Sequence, residues 1–212
     1  LDSRKFYKEH KTANLIKESF WYKTGITWSA LSTGMFSCRF FEGLYVSDFK
    51  GSSVHPKQDQ ILYFLSFMNT HISNDILSII APTLDYNIGQ VIQLPIIFPQ
   101  QESTKQTIDE LTQQCIDISK EDWDSRETSW DFSKNELLKH KSDSKLETAY
   151  NNYCSYWKER FYKLHSNEEE LNRLFIDIYE LQDEITPDVD LKDITILKQE
   201  TNISDSGELE FD

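Results

Sequence analysis

Apolar and polar positions along the first hundred residues come in short bursts. The β-prone runs "ITWSAL", "MFSCRFF" and "LYVSDF" are separated by Gly25, Gly34, Gly43 and Gly51, so a turn signal recurs every eight or nine residues. That rhythm predicts a small antiparallel meander. Period-two alternation sets Phe36, Cys38 and Phe40 on one face and Ser37, Arg39 and Phe41 on the other. Only the first set has the character of a core. The period then changes in "DQILYFLSFMNTHISNDILSIIAP", where Ile61, Leu62, Leu65, Met68, Ile72, Ile76, Leu77 and Ile80 recur at three and four residues. This predicts one amphipathic helix ending near Pro82. "IGQVIQLPII" returns to strand, stopped by Pro95 and Pro99. Residues 20–98 therefore read as an α+β unit, β-rich with one packed helix.

Beyond Gln100 the pattern is helical. Ile108, Leu111, Cys115 and Ile118 form one stripe, and "EDWDSRETSWDF" reads as an irregular linker pinned by Trp123, Trp130 and Phe132. Residues 144–164 space Leu146, Tyr150, Tyr153, Trp157, Phe161 and Leu164 at helical intervals. Ser166 followed by Glu169 has the spacing of a capping box. It predicts a new helix with Leu171, Leu174, Phe175, Ile178, Leu181 and Ile185 on its apolar face. So short a junction predicts a helix hairpin with the two aromatic faces together. The closing "TNISDSGELEFD" is polar and acidic and is expected to fray. The division expected is 1–99 as an α+β domain, 100–200 as a helical support or connector, and 201–212 as an acidic tail.

Charge sharpens this division. The net charge of −14 taken whole argues against nucleic acid. Residues 1–100, however, hold 9 Lys+Arg against 8 Asp+Glu, while residues 101–212 hold 13 against 28. The first half is thus near neutral at +1 and the second carries −15. With screening over roughly 8 Å at physiological salt, the halves present nearly independent fields. The first can meet DNA and the second is repelled by it. The chain has no apolar run of about 18 residues, the length a membrane helix needs, and no signal-peptide pattern. Cys38, Cys115 and Cys154 are odd in number and far apart, which fits neither a zinc site nor a disulfide framework and points to a reducing cytoplasm. A start at Leu1 without an initiator Met suggests a piece of a longer protein.

Catalytic chemistry is not legible. No glycine stands in a phosphate-loop pattern, and the five histidines lack partners at metal-ligand spacing. No nucleophile-elbow motif anchors a hydrolase triad. Asp122 and Asp124 read as part of a solvated acidic stretch. The chain does offer a surface. Trp28 and Tyr22 can stack on bases, and Ser29, Ser32 and Thr33 can donate to phosphates or base edges; alternatively Trp28 fills the core and the hydroxyls serve turns. Arg39, alternating with core residues, is a groove contact or a structural ion pair. "DFKGSSVHPK" clusters Lys50, Ser52, Ser53 and Lys57 around a glycine, as a phosphate-binding loop or an ordinary polar one.

Several stretches together resemble a known family. "GITWSALSTGMFSCRFF", "DFKGSSVH", "ILYFLSFMNTHISNDIL", "APTLDYNIGQVIQLPI", "SKEDWDSRETSWDF" and "NEEELNRLFIDIYELQDEITPDV" are similar, in order, to the region after the catalytic domain of PglX-type adenine-specific DNA methyltransferases of the BREX phage-exclusion system. More loosely, the Leu-Pro strand end followed by a Gln/Glu-rich helix resembles the exit from target-recognition domains of restriction–modification enzymes. "FEGLYVSDFKGSS" departs from the family's aromatic strand. The resemblance implies a parent enzyme transferring methyl from S-adenosylmethionine to adenine N6. The family's Asn-Pro-Pro-Tyr motif has no counterpart, since no two prolines are adjacent. The segment itself is thus expected to hold no catalytic residue, cofactor or metal. Its implied role is recognition of double-stranded DNA through residues 20–98. Trp28, Ser29, Ser32, Thr33, Arg39, Lys50, Ser52, Ser53 and Lys57 are the candidate contacts, with the helices braced on the catalytic domain or other defence proteins. The rival reading is a non-catalytic, acidic helical protein-interaction module.

Overall fold

The structure, a computed structural model, describes residues 9, 17–32, 34–44, 46, 51–83 and 85–211. The chain divides into two compact units, Leu1–Ile96 and Ile97–Asp212. Helices and small antiparallel sheets make it an α+β protein, as the sequence pattern implies.

In the first unit β1 (Gly25–Ser29) lies between β2 (Cys38–Phe41) and β3 (Gly51–Val54), both antiparallel to it. A meander would have put β2 in the centre, so the expected order is corrected. Most of "LYVSDF", expected as a strand, lies outside the described residues; Leu44 and Val46, the two that are described, are exposed. The third strand is "GSSV", a run too polar to signal itself by composition. Gly43, after β2, lets the chain pass against the Tyr22 backbone, where any Cβ would collide with the Tyr22 carbonyl.

Ile26 and Trp28 point to the inner face together with Cys38 and Ser52, all buried. Helix α1 (Ile61–Met68) covers that face with Ile61, Leu65 and Met68, and α2 (His71–Ile80) packs beside it through Ile72 and Leu77. The single helix expected over 61–80 is broken at Asn69–Thr70, because both side chains serve the backbone instead. Thr70 caps α2, its hydroxyl accepting from Ser73 N and donating to the Phe67 carbonyl at 2.7 Å. The Asn69 amide accepts from Cys38 N at 2.9 Å and donates to the Cys38 carbonyl at 3.1 Å. It thereby acts as one more strand residue on the open edge of β2.

The "IGQVIQLPII" strand is also corrected. Asn87 N donates to Gln90 Oε1 at 3.0 Å, a capping arrangement that starts the one-turn helix α3 (Ile88–Val91). Val91 and Leu94 are its buried contributions, and the chain then runs on as irregular backbone through Pro95.

The second unit is built on α4 (Glu102–Asp124) and α6 (Leu146–Tyr179), with the short α5 (Glu136–Lys139) between them. Asn167 donates to Gln114 while Tyr156 bonds Glu121, so α4 and α6 run antiparallel. The expected hairpin at Ser166 is therefore corrected: α6 is one helix of 34 residues. The buried stripe Tyr153, Trp157, Phe161, Leu164, Leu171 and Phe175 keeps its phase through that point, so nothing there ends the helix. Asn167 is buried against α4 rather than serving a turn.

Nor does the tail fray. β4 (Thr201–Ile203) and β5 (Leu209–Phe211) pair as a hairpin, with Gly207 at φ 79° taking the left-handed turn position. Leu209 joins Trp157, Phe161, Ile194 and Ile196 in the core, and the Phe211 ring meets Tyr153 edge-on at 5.9 Å. Burial of these two side chains overrides the acidic composition between them.

Candidate nucleic-acid interface

Strand alternation gives the sheet an outer face opposite α1. Thr27 stands opposite Arg39 on one side and opposite Ser53 on the other, forming a rung Arg39–Thr27–Ser53 across all three strands. Arg39 is exposed, and Thr27 Oγ1 is turned to donate to the Ser52 carbonyl at 2.9 Å. Ser29, exposed at the end of β1 and opposite Gly51, extends the polar face. The face thus offers an exposed guanidinium fork on its edge strand and the Ser29 hydroxyl at the end of the central one, donors of the kind that phosphates and base edges accept from.

The rung on the other side is aromatic. Gly25 stands opposite Phe41, and the His55 ring sits over it. A Cβ on Gly25 would come within 2.7 Å of His55 Nδ1 and closer still to the Val54 carbonyl oxygen. His55 Nδ1 lies 3.1 Å from the Thr24 carbonyl, a contact that fixes the proton on Nδ1. Its other nitrogen faces Ser53 Oγ at 3.4 Å. Phe20 stacks on the imidazole at 5.6 Å and Phe41 meets it edge-on at 5.8 Å. Beside this group opens a cleft of about 280 Å³, with Phe20, Lys23, Thr24, His55 and Gln58 on its walls.

The nine expected contacts separate by strand parity. Ser29, Arg39 and Ser53 share the outer face. Trp28 and Ser52 face the core and are withdrawn from it: Trp28 is 1% exposed, its indole N–H donates to the Tyr86 carbonyl at 2.8 Å, and its ring lies against Phe36. The polar handle of that tryptophan is spent inside the unit. Ser32 is turned to its own loop, accepting from Gly34 N at 3.2 Å. Lys57 is exposed at the start of the 3₁₀ turn Gln58–Gln60. Thr33 and Lys50 lie outside the described residues. Sequence reasoning missed Thr27, Phe20, Lys23 and His55. Thr27 was recoverable from the parity of Arg39 once the two strands were paired; the others were not, because a turn and a loop bring them together.

The unit offers little else chemically. Burial pushes the Cys38 thiol far above its ordinary range, so it is a neutral core group rather than a nucleophile. Among the described residues no cluster of His, Cys, Asp or Glu has the arrangement to hold a metal ion, and no helix is long and apolar enough to cross a membrane.

No protein-family profile matches the chain. Two curated proteins do. Adenine-specific methyltransferase PglX of Lacticaseibacillus casei (strain Zhang) is 40% identical over 182 residues, and adenine-specific methyltransferase BrxX of Escherichia coli O9:H4 (strain HS) is 31% identical over 182 residues. Both alignments take in 84% of this chain. The chain matches one region of the BREX adenine-specific methyltransferases. It spans only 15% of the PglX length and 14% of the BrxX length. The BREX methyltransferase resemblance carried by the sequence motifs is therefore met by similarity across most of the chain.

Proposed function

We propose that the first unit is a target-recognition element of an S-adenosylmethionine-dependent adenine-N6 DNA methyltransferase, acting in phage defence or restriction–modification in the cytoplasm. Its outer sheet face meets double-stranded DNA. The observation that carries this reading is the Arg39–Thr27–Ser53 rung, with a solvent-facing cation at its edge, on the near-neutral half of an otherwise acidic chain. Arg39 takes a phosphate or a guanine edge, and Ser29 and Lys57 supply the neighbouring donors. A methyltransferase that flips its base needs a second surface to hold the duplex, and this face supplies one. The second unit, at −15, braces the first against the catalytic domain or other defence proteins.

S-adenosylmethionine itself does not fit here. The sheet is antiparallel, and none of the described glycines sits in a strand-to-helix turn that would wrap the cofactor.

The test is duplex DNA binding by the 212-residue chain across a salt series. Arg39→Ala should weaken binding and lower the slope of log K against log salt by about 1. An unchanged slope would remove Arg39 from the interface. A second reading, a protein-docking module, is favoured by Trp130 at 92% and Trp123 at 62% exposure on the acidic unit. Capture of a basic partner sensitive to Trp130→Ala, with no DNA binding, would select it.

A further inference from the structure

We infer that the cleft beside His55 is a subsite for one unpaired nucleotide of a DNA strand. The inference rests on the DNA-facing reading of the sheet and adds a ligand that the sheet face alone does not call for. Three features build the site. The imidazole is held from three directions: by the Thr24 carbonyl at 3.1 Å, by Gly25, whose missing Cβ leaves its seat, and by Phe41 edge-on. Phe20 lies nearly parallel to that fixed ring, 24° between planes, and remains 44% exposed. A rigid, half-open aromatic stack is what a base with no pairing partner needs, since every base has a face to stack.

The third feature is charge. Lys23 Nζ lies 6.0 Å from the Phe20 centroid, at the outer limit of a cation–π contact, so its flexible stem can carry the ammonium to a phosphate at little cost. Thr24 and Gln58 add polar groups to the wall, and buried Ile61 gives an apolar floor. The cleft measures about 280 Å³ and opens to solvent, so a base can enter from the surface. The cleft also adjoins the Arg39–Thr27–Ser53 rung through Ser53, which contacts His55. A strand crossing that rung can therefore place an unstacked base in the cleft. Base flipping by an adenine methyltransferase leaves just such an unpaired base in the duplex.

The test compares two duplexes bound by the 212-residue chain: one fully paired, one carrying 2-aminopurine opposite an abasic site. The unpaired duplex should bind about 5- to 50-fold tighter, with its fluorescence quenched on stacking. Phe20→Ala should abolish both the preference and the quench, and Phe20→Trp should restore them. Arg39→Ala should weaken both duplexes alike and keep the preference. Paired DNA bound in an Arg39-dependent way with no preference overturns the cleft and leaves the sheet reading standing. A preference that survives Phe20→Ala also overturns the cleft. Binding of neither duplex overturns both readings. Free dTMP competing at the same concentrations as the oligonucleotide would overturn the assignment to a strand nucleotide in favour of a free one.

Discussion

Gly25 carries two tasks that no other residue can combine. It opens β1 opposite Phe41, and it leaves the space that the His55 ring occupies. Gly25→Ala should cost about 1–3 kcal/mol in chemical denaturation, the range for a forced overpacking, because the clash on one side is with backbone rather than with a side chain that can swing away. A cost near zero would show that His55 is not seated as described. Glu168 on α6 is the other telling residue. Burial, with the Asp193 charge adding to it, pushes its carboxyl up to about 7. A carboxylate whose folded value is raised favours the fold below its unfolded value and loses that contribution as pH rises through about 7. Glu168→Gln should therefore add about 1–2 kcal/mol of stability near pH 8 and almost nothing near pH 5, measured as the difference from the parent chain at each pH. An equal gain at both values would contradict a half-buried carboxyl held protonated by desolvation. Neither residue stands out in the sequence: Gly25 looks like one more turn glycine, and Glu168 is one of three consecutive glutamates.

At the scale of elements, periodicity was legible where it ran long and misleading where it ran short. The face assignment of Phe36 and Cys38 against Arg39 holds because alternation within one strand needs no knowledge of its neighbours. Strand order does need it, and the pairing of β3 with β1 that puts β1 in the centre has no local signal. "GSSV" became a strand because β1 offered it a free edge, and "IGQVIQLPII" became a helical turn because Asn87 and Gln90 bond one another. The capping-box pattern at Ser166 fails for the opposite reason. An apolar stripe in unbroken phase, packed against α4, outweighs a local preference to start afresh. Ser166→Pro discriminates the two arrangements. In one continuous helix it should cost about 3 kcal/mol or more, while at a turn between two helices it would be nearly neutral. Thermal unfolding followed by far-ultraviolet circular dichroism reads the difference.

On the scale of the whole molecule, two compact units carry opposite electrostatic briefs. The first holds the polar outer face and the aromatic cleft; the second holds nearly all of the excess acid and two of the most exposed tryptophans. The charge step was visible in composition alone. What it meant was not, because composition cannot tell a DNA-repelling brace from a partner-docking surface; the methyltransferase relatives supply that context for a chain spanning about a seventh of their length. The central claim is that DNA meets the outer face of the small sheet. Its most direct measurement is the salt dependence of duplex binding by the 212-residue chain, compared with Arg39→Ala and with Lys158→Ala on the acidic unit. The account predicts that Arg39→Ala lowers the log–log slope by about 1 while Lys158→Ala leaves it unchanged. Equal slopes for all three proteins, or loss with Lys158→Ala alone, would contradict it.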